Sequence, residues 1–192
     1  MKALSTKLVT ALAQTHPADD DESFTALGVV LSDLRGRPVV LKRAAFPPHT
    51  ASGLWLDLPD MDVVAVREDT ATSEHAHVIV GHEVWHMVQG HCGAHTSVGP
   101  VAARASSGHA AAVEDVVRLL LASGDTHLND LSQRDLKYAA RTNFDAGHEA
   151  EAEMFGLRFG TDLRAFRRTH RRPDLHQVAG RIEDSLGRGP WA

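Results

Sequence analysis

The eighteen residues from Glu74 to His91, EHAHVIVGHEVWHMVQGH, constrain this chain more than any other stretch. They are long enough for about five helical turns at ~3.6 residues each. Thr72 or Ser73 can cap the start, Glu74 falls in the first turn, and Gly90 or Gly93 can end the helix. Val78, Ile79, Val80, Val84, Trp85, Met87 and Val88 cover almost the whole circumference, so burial is expected on nearly every side. Such a helix belongs at the centre of a fold, and its polar members His82, Glu83 and His86 must find partners there. An unpartnered buried polar group costs about 1–3 kcal/mol, and an unpaired charge costs more.

Positions i and i+4 of a helix lie one turn apart and differ by only ~40° in azimuth, so His82 and His86 can aim two imidazoles at one point. Glu83 projects on the adjoining flank. HEVWH is thus an HExxH pattern, the arrangement in which two neutral histidines hold Zn²⁺ and the glutamate takes a proton from a water attacking an amide. Thirteen histidines against one tyrosine single out the same residue type.

Zinc needs a further protein ligand. A metzincin would have Gly and His seven and ten residues after His82, where this chain has Gln89 and Cys92, so that class is disfavoured. One source is the cluster of His91, Cys92 and His95 just past the helix end. The better source is HEAEAEMFGLRF, residues 148 to 159, within a helix expected over 148–168. There Phe155, Phe159, Leu163 and Phe166 form an apolar stripe, and four residues before Phe155 stands Glu151, which is therefore expected to point inward. Glu149 and Glu153 lie roughly 200° from Glu151 and are expected to face solvent or to support the site from behind.

The rest of the chain supplies the frame. Residues 1–15 read as an amphipathic helix with Leu4, Leu8 and Leu12 in register, and Phe24 to Leu34 as a second, preceded by the acidic break HPADDDE and ended by RGRP. Val39 to Phe46, Gly53 to Leu58 and Val63 to Arg67 have β character, and PDMD at 59–62 makes the last two a hairpin. Its edge strand could accept an extended peptide by β-addition. Pro100 to Ala112 reads as a loop, residues 113–122 and 131–141 as helices, and residues 171–192 as a polar tail. His75, His77, Asp57 and Asp60 read as structural residues. Arg164, Arg167, Arg168, Arg171 and Arg172 read as cations complementing a helix C-terminus.

Composition narrows the class. With 43% hydrophobic and 23% charged residues the chain can bury a core, and a net charge of −5 argues against direct nucleic-acid binding. The single cysteine excludes an internal disulfide, and no run of ~18 apolar residues offers a membrane span. A soluble, cytoplasmic protein is expected.

HEVWH together with a downstream ExEAxxF, here Glu149, Glu151, Ala152 and Phe155, resembles the ImmA/IrrE-like metallopeptidases. The stretch GLWLDLPDMDVVAVRE, a hairpin leading into the HExxH helix, looks like that family's substrate-cleft sheet, and the resemblance covers about residues 35–165. It implies a compact α+β gluzincin-like domain, with a small antiparallel sheet packed on a central HExxH helix among further helices. It also implies that His82, His86 and Glu151 bind zinc and that Glu83 is general base and acid. The organisation that follows is two N-terminal helices in 1–34, a metallopeptidase-like domain in 35–170 with an inserted helical segment at about 93–145, and a tail in 171–192. The partner implied is an intracellular protein substrate, a helix-turn-helix repressor or antitoxin-like regulator. Apart from the resemblance, Tyr138 or His148 could serve as an oxyanion donor across the cleft, a structural role being the alternative for each. The alternative is a regulator that keeps its zinc and binds a partner protein without cleaving it.

Overall fold

The computed structural model describes residues 1–46, 52–58, 60–91, 101–103 and 146–170. Among these the fold is α+β, with four helices and a four-stranded sheet. The elements in chain order are α1 (Lys2–Gln14), α2 (Asp20–Arg35), β1 (Val39–Ala44), β2 (Gly53–Asp57), β3 (Asp62–Arg67), α3 (Ser73–Gln89), β4 (Val101–Ala103) and α4 (Ala146–His170). The expected helices at 113–122 and 131–141, the tail at 171–192, Cys92, His95 and Tyr138 lie outside the described residues. No described helix is long and apolar enough to cross a membrane.

Helix α2 starts four residues before the expected Phe24. Asp19 caps it by accepting the Glu22 amide at 2.8 Å, so the acidic residues Asp20, Asp21 and Glu22 are the first turn itself, where the helix dipole favours them. Both α2 and α3 end on a glycine in the left-handed conformation, Gly36 and Gly90. Thr72 caps α3 through the His75 amide.

The strand order is β1-β3-β2-β4, with β1 parallel to β3 and β2 antiparallel to both of its neighbours. The expected hairpin is present as β2 and β3, with Trp55 opposite Val64 and Asp57 opposite Asp62. Its outer edge is not open to a peptide as anticipated. Val101–Ala103, read from sequence as loop, forms β4 and pairs with Leu54–Leu56. A three-residue strand of small and branched residues carries too short an alternation to stand out from an Ala-rich surround.

One hydrophobic cluster joins Leu8 and Leu12 of α1, Phe24, Leu27 and Leu31 of α2, Trp55, Val64 and Val66 of the hairpin, Ile79, Val80, Val84 and Met87 of α3, and Ala152, Phe155, Phe159 and Leu163 of α4. Helix α3 is buried from Ala76 to Met87 apart from Val78, as its apolar circumference requires. The N-terminal helices therefore share the core that encloses the HExxH helix. Ser5 of α1 adds a polar tie by donating to Asp162 of α4 at 2.7 Å.

A buried ionic knot fixes the turn end of the hairpin. The Asp62 carboxylate is fully buried and accepts from Arg35 Nε at 2.9 Å, Arg37 Nε at 2.7 Å, Arg37 Nη2 at 2.6 Å and Trp55 Nε1 at 2.8 Å. Arg37 also contacts Asp57 and donates to the Leu58 carbonyl at 3.1 Å. Burial alone would push the Asp62 carboxyl up, but donation from Arg37, Arg35 and Trp55 outweighs it and holds the group below the usual carboxylate range. RGRP, expected only to end a helix, thus supplies three of the four donor atoms, and Asp57 takes part in the knot.

Two stability predictions follow from these buried charges. Asp62→Asn leaves both guanidinium groups without their buried anion and is expected to cost about 3 kcal/mol, read as a lower urea midpoint at neutral pH. A midpoint within error of the wild type would show that the knot contributes nothing. The second concerns His77, which is 3% exposed; burial lowers its pKa from 6.5 to about 4, with Glu74 raising it and Arg43 lowering it by smaller amounts. Because the folded value lies below the unfolded one, the neutral ring carries no penalty above pH 6.5. As pH falls from there to about 4, the unfolded chain gains a proton that the native state refuses, and up to about 3 kcal/mol of stability is lost. His77→Gln should flatten that part of the urea-midpoint profile between pH 7.5 and 4.5, and an unchanged slope would refute the assignment.

Candidate metal centre

Helices α3 and α4 cross antiparallel at very close range, and glycine makes the approach feasible. A β-carbon on Gly156 would stand 2.5 Å from the Val78 carbonyl oxygen and 3.1 Å from the His82 nitrogen, and one on Gly81 would stand 2.9 Å from the Gly156 Cα. Gly160, one turn on, would meet Val78 at 2.6 Å. The ridge of α4 that carries these glycines is thus laid against the backbone of α3.

That contact decides which glutamate reaches the histidines. Glu149 lies seven residues before Gly156, within about 20° of it in azimuth at ~3.6 residues per turn, whereas Glu151 lies about 140° away. Glu149 is accordingly the residue brought to the site. Its Oε2 is 3.4 Å from His82 Nε2 and its Oε1 is 3.4 Å from His86 Nε2, while the two Nε2 atoms are 3.1 Å apart. His82, His86 and Glu149 form a group able to hold a metal ion, with candidate donor atoms all within 4.8 Å of one another.

The expectation for Glu151 is corrected. Its side chain is exposed, and Oε2 makes only a long contact of 3.4 Å with Trp85 Nε1. The apolar stripe of Phe155, Phe159, Leu163 and Phe166 is centred about 85° from the ridge of Gly156 and Gly160 on the helical wheel, because the phenylalanines flank the crossing while the glycines occupy it. Glu149 is expected from sequence to face solvent or to support the site from behind, and it stands beside His82 and His86 in the candidate group instead. The signal that could have found it was G-x-x-x-G at Gly156 and Gly160, the small-residue ridge along which two helices approach.

The remaining sequence candidates fall around this group. Glu83 is 1% exposed and leans toward the hairpin, where a β-carbon on Gly53 would stand 2.8 Å from its Oε1 and 2.5 Å from Ile79. Only a glycine lets the first residue of β2 lie against the general-base candidate. Trp85 turns away from the histidine face and stacks on Phe155 with ring centroids 5.0 Å apart. His91 extends the array, 5.6 Å edge-to-face from His86 and stacked at 3.8 Å on His148. His91 and His148 thus edge the site without belonging to the ligand group.

The donor set fits a tetrahedral ion. Zinc bonds of about 2.0–2.1 Å in tetrahedral geometry place donor atoms about 3.3–3.4 Å apart, close to the separations among the two imidazoles and the carboxylate. The Glu149 carboxyl is already an anion prepared for a cation. Burial would raise its pKa, but hydrogen bonds from His82 and His86 lower it from 4.5 to about 2.

The two glutamates can be separated by experiment. In a cobalt(II) titration followed by visible absorption, Glu149→Gln should weaken binding more than about 100-fold, beyond the 10–100-fold typical of outer partners. Glu151→Gln should leave it unchanged. The reverse ranking would return the ligand role to Glu151. The sequence matches no family model, and neither a curated protein nor a solved structure matches it.

Proposed function

We propose that the protein is a zinc-dependent endopeptidase of the HExxH type, acting in the cytoplasm on an intracellular protein. The resemblance to the ImmA/IrrE-like peptidases points to a helix-turn-helix repressor or antitoxin-like regulator as that substrate. The observation that carries the reading is the convergence of His82 Nε2, His86 Nε2 and the Glu149 carboxylate at separations of 3.1 and 3.4 Å. Three protein donors, the number in this group among the described residues, are the complement of a catalytic zinc site, since a structural site takes a fourth.

His82, His86 and Glu149 would hold the ion. When bound, zinc supplies a Lewis acid that polarises the scissile carbonyl and makes water a nucleophile near neutral pH. The chain's own part in the reaction falls to Glu83, one residue on from the first ligand and buried against Gly53. Glu83 takes the proton of the water as its oxygen bonds to the carbonyl carbon. It returns that proton to the amide nitrogen as the carbon–nitrogen bond breaks, so the same carboxylate serves as base and then acid. Its burial keeps bulk water from competing for the proton. The packing of Trp85 on Phe155 keeps the indole off the histidine face, which favours a working cleft over the non-cleaving regulator.

Glu83→Gln tests the reading directly. It preserves the size of the side chain but removes the base, so zinc content should remain near one ion per chain. Cleavage of a protein substrate, followed by mass spectrometry of the products, should fall by at least ~100-fold. Undiminished cleavage would exclude Glu83 as the base, and a wild type that binds zinc yet cleaves nothing would favour the regulator.

A further inference from the structure

The groove between α3 and α4 does not end at the metal-ligand group. Along α3 the residues His86, His82, Ile79, Val78 and His75 share one face at i, i+3 and i+4 spacing, and along α4 Glu149, Glu153 and Leu157 follow one another at every fourth residue. Because the helices run antiparallel, the face that starts at His86 and Glu149 continues past His82 toward the start of α3. There it opens into a cavity of about 330 Å³, lined by Ser52, Val78, Ile79, His82, Leu157 and, at its rim, Glu74, His75 and Glu153. That volume lies at the small end of the ~300–1,000 Å³ usual for ligand pockets.

Its lining has a definite chemistry. Val78, Ile79 and Leu157 give an apolar wall, and Leu157 is 54% exposed, a surface leucine beside a polar rim. Glu74 and Glu153 bring two carboxylates to the pocket, and none of its described lining residues is a lysine or arginine. His82, 4% exposed, lines it as well, and His82 Nδ1 has no hydrogen-bond partner among the described residues. The pocket is therefore walled in part by a residue of the metal-ligand group. An aliphatic stem ending in a cation is the side chain that satisfies such a lining, because it buries methylenes along the apolar wall and carries its charge to the acidic rim.

We propose that this pocket is a specificity subsite for a lysine or arginine of the protein substrate, placed beside the scissile bond by its shared wall at His82. The inference rests on the peptidase reading and names the side chain that such a peptidase prefers. A peptide threading the groove would set the stem of that residue against Val78, Ile79 and Leu157. Its charged end would then meet Glu74 and Glu153.

Two measurements test it on the full chain. A positional-scanning library of internally quenched peptides, incubated with the zinc-loaded protein, should show one position where Lys or Arg raises kcat/KM about tenfold over Glu or Leu, a difference worth about 1.4 kcal/mol. Glu74→Lys combined with Glu153→Lys should reverse that preference toward Asp or Glu. Both residues sit at the rim, so the fold should survive. Independently of turnover, N-acetyl-arginine amide titrated into metal-free protein should shift the amide resonances of Val78, Ile79 and Leu157, and N-acetyl-glutamate amide should not. Cleavage without a basic preference, or a preference that the double variant leaves in place, overturns the subsite. Absence of cleavage across the whole library overturns the peptidase reading instead, and the arginine amide shifts then decide by themselves whether the pocket takes a cationic side chain.

Discussion

The close backbone contact between Gly81 of α3 and Gly156 of α4 sets the scale for everything else in the site. Helix pairs usually pack with axes about 8–10 Å apart, the distance depending on the side chains at the crossing. Here there is no side chain on either helix at the tightest point, and a β-carbon on Gly156 would fall 2.5 Å from a carbonyl oxygen of the opposite backbone. Glutamate reaches only a short way from its helix. With the axes pushed apart by even a methyl group, its carboxylate would have to lean or stretch to keep 3.4 Å contacts with two imidazoles on the other helix. The glycine ridge and the ligand geometry are therefore one design, expressed two helical turns apart on α4.

A second fixed point controls Glu83. The carboxylate of Asp62 gathers Arg35 from the end of α2, Arg37 from the approach to β1 and Trp55 from β2. This locks the end of the hairpin while the pairing of Gly53 with Val66 fixes its other end. Between those ends Trp55, Val64 and Val66 belong to the same cluster as Ile79, Val80 and Val84 of α3. Gly53 then presses on Ile79 and Glu83 from the sheet side, just as Gly156 presses on His82 from the α4 side. The HExxH helix is held between two close glycine contacts, which fix His82, His86 and Glu83 relative to the sheet and to α4.

How much of this was legible in the sequence depends on the kind of signal. Helix α3 was read almost to the residue because its caps and its continuous apolar circumference agree, and the β2–β3 hairpin because turn composition and alternation agree. The pair His82 and His86 was legible because a four-residue spacing fixes geometry within one helix. The candidate third ligand was not, because it depends on the rotational phase of a second helix, and in that helix the largest residues mark a different phase from the smallest. Phe155 and Phe159 are deeply buried, yet they flank the crossing, and Gly156 occupies it. Asp62 was missed for a different reason. A single aspartate in a turn-rich stretch looks like a turn residue until three separate segments bring it their donors, and no local window contains them all.

The same buried cluster answers the problem posed by polar residues inside an apolar helix. Each neutral ring can turn its one N–H at Nε2 toward the Glu149 carboxylate, which those hydrogen bonds hold well below the usual carboxylate range, while Nδ1 of both rings has no hydrogen-bond partner among the described residues. A divalent ion entering the group meets the same three donors at nearly the same spacing and displaces only the hydrogens between them. Little backbone rearrangement is needed, since the separations are set by the glycine crossing rather than by the occupant. Part of the cost of burying His82 and His86 is thus offset by their contacts with the half-buried Glu149, an arrangement that is also a candidate ligand set.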